Sequence, residues 1–121
     1  MRTKTQLLNS LKAETERLWD NYSEIWPVLV RFDAPQIKLN NRFTSCAGKA
    51  HYDTRVIELG YKFFAKFEAN MVRVILPHEL AHIIDGILRG SENITRYHDA
   101  EWQKIMLAIG QEPKPYHSME L

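Results

Sequence analysis

Cysteine is almost missing from this chain of 121 residues, which holds only Cys46. One cysteine cannot form an internal disulfide, and it excludes a zinc cluster built from several cysteines of the chain. Long apolar runs are also missing, and the first residues lack the apolar core of a signal peptide. We therefore expect a cytoplasmic protein that does not bind a membrane.

A strong excess of one sign of charge is absent as well, since the formal net charge is +1. The charge is nevertheless uneven. Residues 31–73 hold eight basic and four acidic side chains, whereas residues 74–121 hold four basic and seven acidic ones. The middle segment can present a basic face to the phosphates of DNA. An ordinary solvated surface accounts for the same composition, so both interpretations stay open.

The length suits one domain, which we predict over residues 1–121 with an irregular tail over 111–121. Apolar residues recur at helical spacing over residues 4–25. They do so again from Asn70, a candidate N-cap, to Gly90, a candidate helix end. These two segments predict an N-terminal helix and a second long helix.

Proline interrupts the second helical segment. Pro77 lacks a backbone donor, so we expect a kink or a new helical start there. A last helix is predicted to begin near Asp99 and to end at Gly110. The fold class is therefore α+β, with a small antiparallel sheet between the first two helices. The sheet is predicted from short extended runs between turn residues, at 28–32, 36–39, 42–52 and 55–59.

The most informative motif is the HExxH sequence at residues 78–82. On a helix, positions i and i+4 share one face, so both imidazoles can bind one metal ion, and the glutamate can take a proton from water at that ion. Zinc is the usual metal of such a pair, and peptide-bond hydrolysis is the usual reaction. We predict His78 and His82 as zinc ligands and Glu79 as the catalytic base.

A catalytic zinc needs a third protein ligand. The metzincin pattern requires glycine and histidine where this chain has Asp85 and Leu88, so that arrangement is excluded. We favour His98, because it lies where the predicted loop meets the last helix and can reach back over the HExxH helix. Glu101 is the second choice, since thermolysin-like enzymes take a glutamate from a later helix. Glu92, on the loop, is the third.

The HExxH motif followed by His98-Asp99-Ala100-Glu101-Trp102 resembles the SprT-like zinc metalloprotease domain, the group that includes the Spartan DNA–protein crosslink proteases. Two upstream segments, AGKA at 47–50 and VIEL at 56–59, are similar to a strand pair of that family. The resemblance covers about residues 5–117. It implies a zincin-like minimal metalloprotease domain that holds Zn²⁺ and cleaves proteins, with DNA-associated proteins among the substrates.

The resemblance also assigns residues. His78, His82 and His98 correspond to the zinc ligands, Glu79 to the catalytic base, and Trp102 to a packing residue beneath the site. Asp99 stands where the family often has glycine. Larger members contain an additional cysteine-rich zinc ribbon or binding motifs for DNA and other partners. We expect this sequence to be the catalytic domain without such additions.

Two alternatives to a zinc protease stay open. One is a DNA- or protein-binding module that keeps zinc for structure and has no protease activity. The intact Glu79 counts against it, because a structural site does not need that carboxylate. The second is a metal-free scaffold in which the HExxH sequence arises by chance.

Several further polar residues have more than one interpretation. Asp85 and Glu101 can each accept a hydrogen bond from a ligand imidazole or lie solvated on a helix surface. His51 is expected to be a surface or packing residue. Three residues are candidates to stabilise the oxyanion of the reaction or to serve only in packing: Tyr97, Tyr116 and His117.

Overall fold

A computed structural model describes residues 2–115, 117 and 119–121 of the chain. The first helix, α1, spans Lys4–Ile25, as the sequence predicts. Thr3 and Gln6 form a capping box at its start, in which each side chain binds the other residue's backbone N–H. One face of α1 is buried in the core, through Leu7, Leu11, Thr15, Trp19 and Tyr22.

The segment after α1 corrects one prediction. Residues 28–32 were predicted to be extended, but Pro27–Arg31 forms a short 3-10 helix. Proline fixes its own φ near the helical value and needs no donor in the first turn, which favours a helical start after Trp26. Leu29 is fully buried. Its neighbour Val30 is 74% exposed, so the segment buries one side chain in a helical turn and not the face of a strand.

Three strands form the sheet: β1 (Gln36–Asn40), β2 (Gly48–His51) and β3 (Val56–Gly60). Their order is β1-β3-β2, so β3 is central. β2 pairs antiparallel with β3, whereas β1 pairs parallel with β3. The predicted antiparallel sheet is therefore wrong in part, and the sheet is mixed. The connection over 41–47 carries the chain past the position of β3, so β1 and β2 are consecutive in sequence but not neighbours in the sheet.

The two faces of the sheet differ in polarity because side chains alternate along a strand. Ile37 and Ile57 are paired and buried on the inner face. On the outer face, Lys38 and Lys49 flank Glu58 in register. The inner face therefore packs in the hydrophobic core, and the outer face is polar.

Helix α2 spans Tyr61–Asn70 and continues into a π-helical turn, Met71–Ile75, and then into α3, Leu76–Arg89. The expected new helical start near Pro77 is thus found one residue earlier. The wider π turn bonds the Leu76 N–H to the Met71 carbonyl and makes room for the proline ring. Asn70 has helical angles and caps nothing, so its predicted N-cap role is wrong.

Helix α4 spans Ala100–Ala108 and begins where the sequence predicts, because the Asp99 side chain accepts a hydrogen bond from the Trp102 N–H. Asp99 has ordinary extended angles, φ −80° and ψ −175°, so the backbone at this position does not require glycine. Gly90 ends α3 with φ +82°. Helix α3 packs against β2 on one side and α4 on the other. None of the helices in the described part of the chain combines the length and apolar character that a membrane span requires.

Candidate metal centre

Helix α3 carries the HExxH motif on a buried face. His78 and His82 are 5% and 6% exposed, and their Nε2 atoms lie 3.3 Å apart. The i, i+4 spacing places both rings over the same side of the helix. The helix therefore presents two imidazole nitrogens to one point.

His98 reaches the same point from the loop before α4. Its Nε2 lies 3.2 Å from that of His82 and 3.3 Å from that of His78. In a tetrahedral zinc site, nitrogens about 2.0–2.1 Å from the ion lie about 3.3 Å from one another. The three nitrogens form a triangle of that size, and neutral imidazoles are suitable zinc ligands, so this triad fits a zinc ion.

A salt-bridge cluster ties the His98 loop to α3. Arg89 binds both carboxylate oxygens of Asp85, at 2.7 and 2.6 Å, and both oxygens of Asp99, at 2.8 and 3.0 Å. Asp85 is fully buried. Its burial excludes a solvated surface position, and its hydrogen-bond donor among the described residues is Arg89 and not a ligand imidazole, so neither interpretation of Asp85 holds. The hydrogen bonds from Arg89 lower the pKa of Asp99, the residue next to His98.

Trp102 lies beneath the triad, in the packing role that the resemblance implies. Its ring stacks on His82 with centroids 5.2 Å apart, and it meets His78 and His98 edge-on at 4.8 and 4.7 Å. It is fully buried, and its Nε1 has no hydrogen-bond partner among the described residues. Trp102 therefore limits the rotation of all three imidazoles by contact alone.

His78 and His82 have outer contacts at Nδ1. The Nδ1 of His78 lies 3.3 Å from Nε2 of His117, and the Nδ1 of His82 lies 3.4 Å from the Tyr52 hydroxyl. Tyr52 fits there because Gly86 has no side chain: a Cβ at position 86 would lie 2.5 Å from the tyrosine ring. Burial, followed by the charge of Asp85, raises the pKa of Tyr52.

Glu79 lies beside the triad, with Oε1 3.9 Å from His78 Nε2. It is 6% exposed, and burial raises the pKa of its carboxyl to about 8. Gly48 of β2 packs against it, since a Cβ at position 48 would lie 3.1 Å from Glu79 Cγ. The sheet therefore holds the carboxylate close to the three nitrogens.

The triad and Glu79 open into a cleft of about 580 Å³. One wall is the segment from Ser45 to Ala50, which includes most of β2. The lining also includes Tyr97 from the loop and Pro115, His117 and Met119 from the tail.

Burial favours the neutral form of the histidines. It lowers the pKa of His78 to about 3, with His117 and His98 contributing, and that of His82 to about 3, with His78 and His98 contributing. The pKa values of His98 and His117 are also lowered, mainly by burial. Neutral imidazoles are the form that binds metal.

These shifts predict how the stability of the metal-free protein depends on pH. Between pH 4.5 and 6.5 the unfolded chain gains a proton at both His78 and His82, while the folded chain holds one extra proton at Glu79. From these three groups the net difference of one proton costs about 1.4 kcal/mol for each pH unit of acidification, and the lowered pKa values of His98 and His117 make this cost larger. Between pH 6.5 and 8 the histidines are neutral in both states, and only the Glu79 carboxyl binds a proton in the folded chain that it lacks in the unfolded chain. The free energy of unfolding therefore falls as pH rises.

Urea unfolding of chelator-treated protein from pH 5 to 8 measures this dependence, with a maximum expected near pH 6.5. In the Glu79→Gln variant the decrease above pH 6.5 should disappear, while the decrease below it should steepen. A wild-type stability that increases from pH 6.5 to pH 5 would contradict the prediction.

Other predicted residues lie elsewhere. Among the described residues, His98 lies with His78 and His82 in one group of possible metal ligands. The other two candidates for the third ligand, Glu92 and Glu101, are not in that group. Glu92 is exposed, and Glu101 is exposed and pairs with Lys104 at 3.2 Å. His51 binds Glu58 at 2.7 Å in the sheet, consistent with the expected surface or packing role.

The three oxyanion candidates have different positions. Tyr97 is 64% exposed and stacks on Tyr52, with centroids 6.0 Å apart. His117 contacts His78, as described above. Tyr116 lies outside the described residues. The sequence did not single out Tyr52 or Arg89. Gly86 inside a helix was an available signal, because such a glycine indicates close packing.

The fold and the triad define an α+β protein with a candidate metal site. The sequence profile of the SprT-like family matches residues 15–119, so the chain belongs to the SprT-like family. It is similar to the protein named SprT of Vibrio atlanticus (strain LGP32), at 33% identity over 76 residues. That match covers 62% of this chain and 44% of the Vibrio protein, so the chain spans less than half of that relative. No solved structure matches the chain.

Proposed function

We propose that this protein is a zinc-dependent peptidase with a zincin-like site, in which His78, His82 and His98 hold the metal. The observation that carries the proposal is the triangle of Nε2 atoms, 3.2–3.3 Å on each side, with the buried Glu79 carboxylate beside it. Membership in the SprT-like family supports the same activity. The single cysteine leads us to place the protein in the cytoplasm.

The chemistry divides between the metal and the protein. Bound zinc supplies a Lewis acid that polarises a substrate carbonyl and makes water more acidic. Glu79 takes the proton of the attacking water and delivers it to the leaving amine. Burial makes the carboxylate a stronger base than an exposed glutamate, which suits proton transfer near neutral pH. A bound cation favours the ionised carboxylate and lowers its pKa from the metal-free value.

The free edge of β2 is suited to hold a substrate strand. β3 covers one edge of β2, and among the described residues no strand covers the other. Ala47 directs its carbonyl to Gly60 on the β3 side, so Gly48 and Ala50 direct their backbone groups to the free edge. An extended peptide pairing there lies in the cleft beside Glu79.

DNA-associated proteins are the substrate class that we favour among protein substrates. Lys38 and Lys49 are exposed on the outer face of the sheet, and Lys49 also borders the cleft. Glu58 lies between them in register and reduces the local positive charge. A weak attraction to phosphates therefore supports this choice, and added DNA tests it.

Glu79→Gln is expected to lower peptidase activity by about 10²–10⁴-fold while leaving bound zinc unchanged, because Glu79 moves the proton and is not a ligand. The measurement combines metal content after purification without added zinc with cleavage of protein substrates, with and without DNA. Glu101→Gln is the matched control, since it removes an exposed carboxylate three residues after His98. It should retain full activity.

Each outcome has a defined meaning. A wild type without bound metal would contradict the metal site. Bound metal with wild type and Glu79→Gln equally inactive on every substrate would favour a zinc-containing binding module. Cleavage that requires DNA would support DNA-associated substrates, and cleavage independent of DNA would support general proteolysis.

A further inference from the structure

His117 follows the last helix and lies against the metal triad. The chain after α4 turns back, since the Gln111 N–H binds the Met106 carbonyl at 2.8 Å. Further along, Met119 packs against the core, and the Lys66 ammonium binds the Glu120 carbonyl at 2.7 Å. The tail predicted to be irregular therefore has no helix or strand in its described part, but specific contacts hold it against the domain.

The contact between His117 and His78 involves defined ring atoms. His78 directs Nε2 towards His82 and His98, and it directs Nδ1 towards Nε2 of His117 at 3.3 Å. A neutral imidazole carries one proton. If Nε2 of His78 donates its lone pair to a metal, the proton is on Nδ1. That N–H then needs an acceptor, and His117 Nε2 is in position.

We propose that His117 is a positioning residue that accepts a hydrogen bond from His78 Nδ1–H and thereby keeps the Nε2 lone pair of His78 directed at the metal. The inference rests on the proposed zinc site. His117 does not touch the metal position through this nitrogen, so its effect is exerted through His78. Partners of this kind fix both the tautomer and the ring orientation of a ligand histidine.

The position of His117 gives the tail a specific role in the site. Helix α3 supplies the first two ligands and the loop before α4 supplies the third, but the partner of His78 comes from residues beyond α4. The corresponding contact of His82, to the Tyr52 hydroxyl, is longer at 3.4 Å. Of the two helix histidines, His78 therefore has the shorter outer contact.

Zinc affinity of the purified chain, measured by competition with a chromophoric chelator, tests the proposal. His117→Ala should weaken zinc binding about 10–100-fold. His117→Gln places an amide oxygen near the position of Nε2 and should recover binding to within about threefold of wild type. His51→Ala is the matched control, because His51 is a partly buried histidine that pairs with Glu58 away from the triad, and it should not change the affinity.

A second measurement does not depend on either variant folding. Nitrogen-edited NMR of the zinc-loaded wild type should show a slowly exchanging proton on His78 Nδ1. Its absence from the wild type would overturn the proposal.

The affinity results separate the two levels of inference. Equal zinc affinity in wild type and His117→Ala would overturn the role of His117 and leave the zinc site intact. Equal weakening by alanine and glutamine would also overturn it, because packing would then account for the loss. A wild type that binds no zinc would overturn the proposed function itself.

Discussion

Replacing Arg89 with methionine is expected to destabilise the protein by about 3 kcal/mol, because it leaves the carboxylate of Asp85 buried without a partner. The same change releases Asp99, the N-cap of α4, from α3. His98 precedes that cap, so we also expect weaker metal binding. Urea unfolding at pH 7 measures the first effect, and chelator competition measures the second.

Two controls distinguish the buried cluster from a general loss of charge. Lys104→Met removes an exposed cation from α4, whose pair with Glu101 should contribute less than about 1 kcal/mol. The double variant Asp85→Asn with Arg89→Met also removes the unpaired buried charge of Asp85 and should recover part of the lost stability. A loss in Arg89→Met no larger than in Lys104→Met would show that the cluster does not stabilise the fold.

Trp102→Ala is expected to cost about 3–5 kcal/mol, since it empties the space of a fully buried aromatic side chain. The three imidazoles also lose the surface that limits their rotation, so zinc affinity should fall at least tenfold. Trp102→Phe should cost less, because it keeps an aromatic ring and removes an indole N–H without a partner in the described residues.

The control for this prediction is a comparable cavity that does not border the cleft. Leu29→Ala removes a fully buried side chain from the 3-10 helix and should cost about 2–5 kcal/mol. Its zinc affinity should match that of wild type. Equal affinity losses in Leu29→Ala and Trp102→Ala would mean that the site responds to global stability and not to the indole ring.

Local signals were sufficient to predict α1, α3 and α4, but not α2 or the 3-10 helix. Helix α1 follows from apolar spacing, and the start of α4 follows from the ability of Asp99 to bind a free N–H of the first turn. Pro77 correctly indicated a change in the helix, although the π turn before it was not predicted. Asn70 failed as a cap because the chain was already helical there.

Strand pairing depends on contacts that a local pattern does not contain. Three of the four extended runs contain strands, but the parallel pairing of β1 with β3 joins residues that are distant in sequence. The run at 28–32 buries Leu29, which a short helix achieves as well as a strand. The mixed pairing of the strands therefore could be established only from the structure.

In the candidate site, too, local spacing predicts some features and contacts between distant residues determine the others. The spacing of His78, Glu79 and His82 fixes their shared helix face, and the position of His98 at a helix start made it the preferred third ligand. The partners that hold them come from tertiary packing. Asp85 looked like a surface or ligand-contacting residue, and only the position of Arg89 shows why it can be buried.

Cys46 borders the cleft and is exposed. Because the chain contains no other cysteine, a thiol-reactive spin label or fluorophore attaches at one position, on the wall formed with β2. Burial raises the pKa of this thiol, so labelling is faster at mildly alkaline pH. The native sequence thus provides a spectroscopic reporter of cleft occupancy without any engineered substitution.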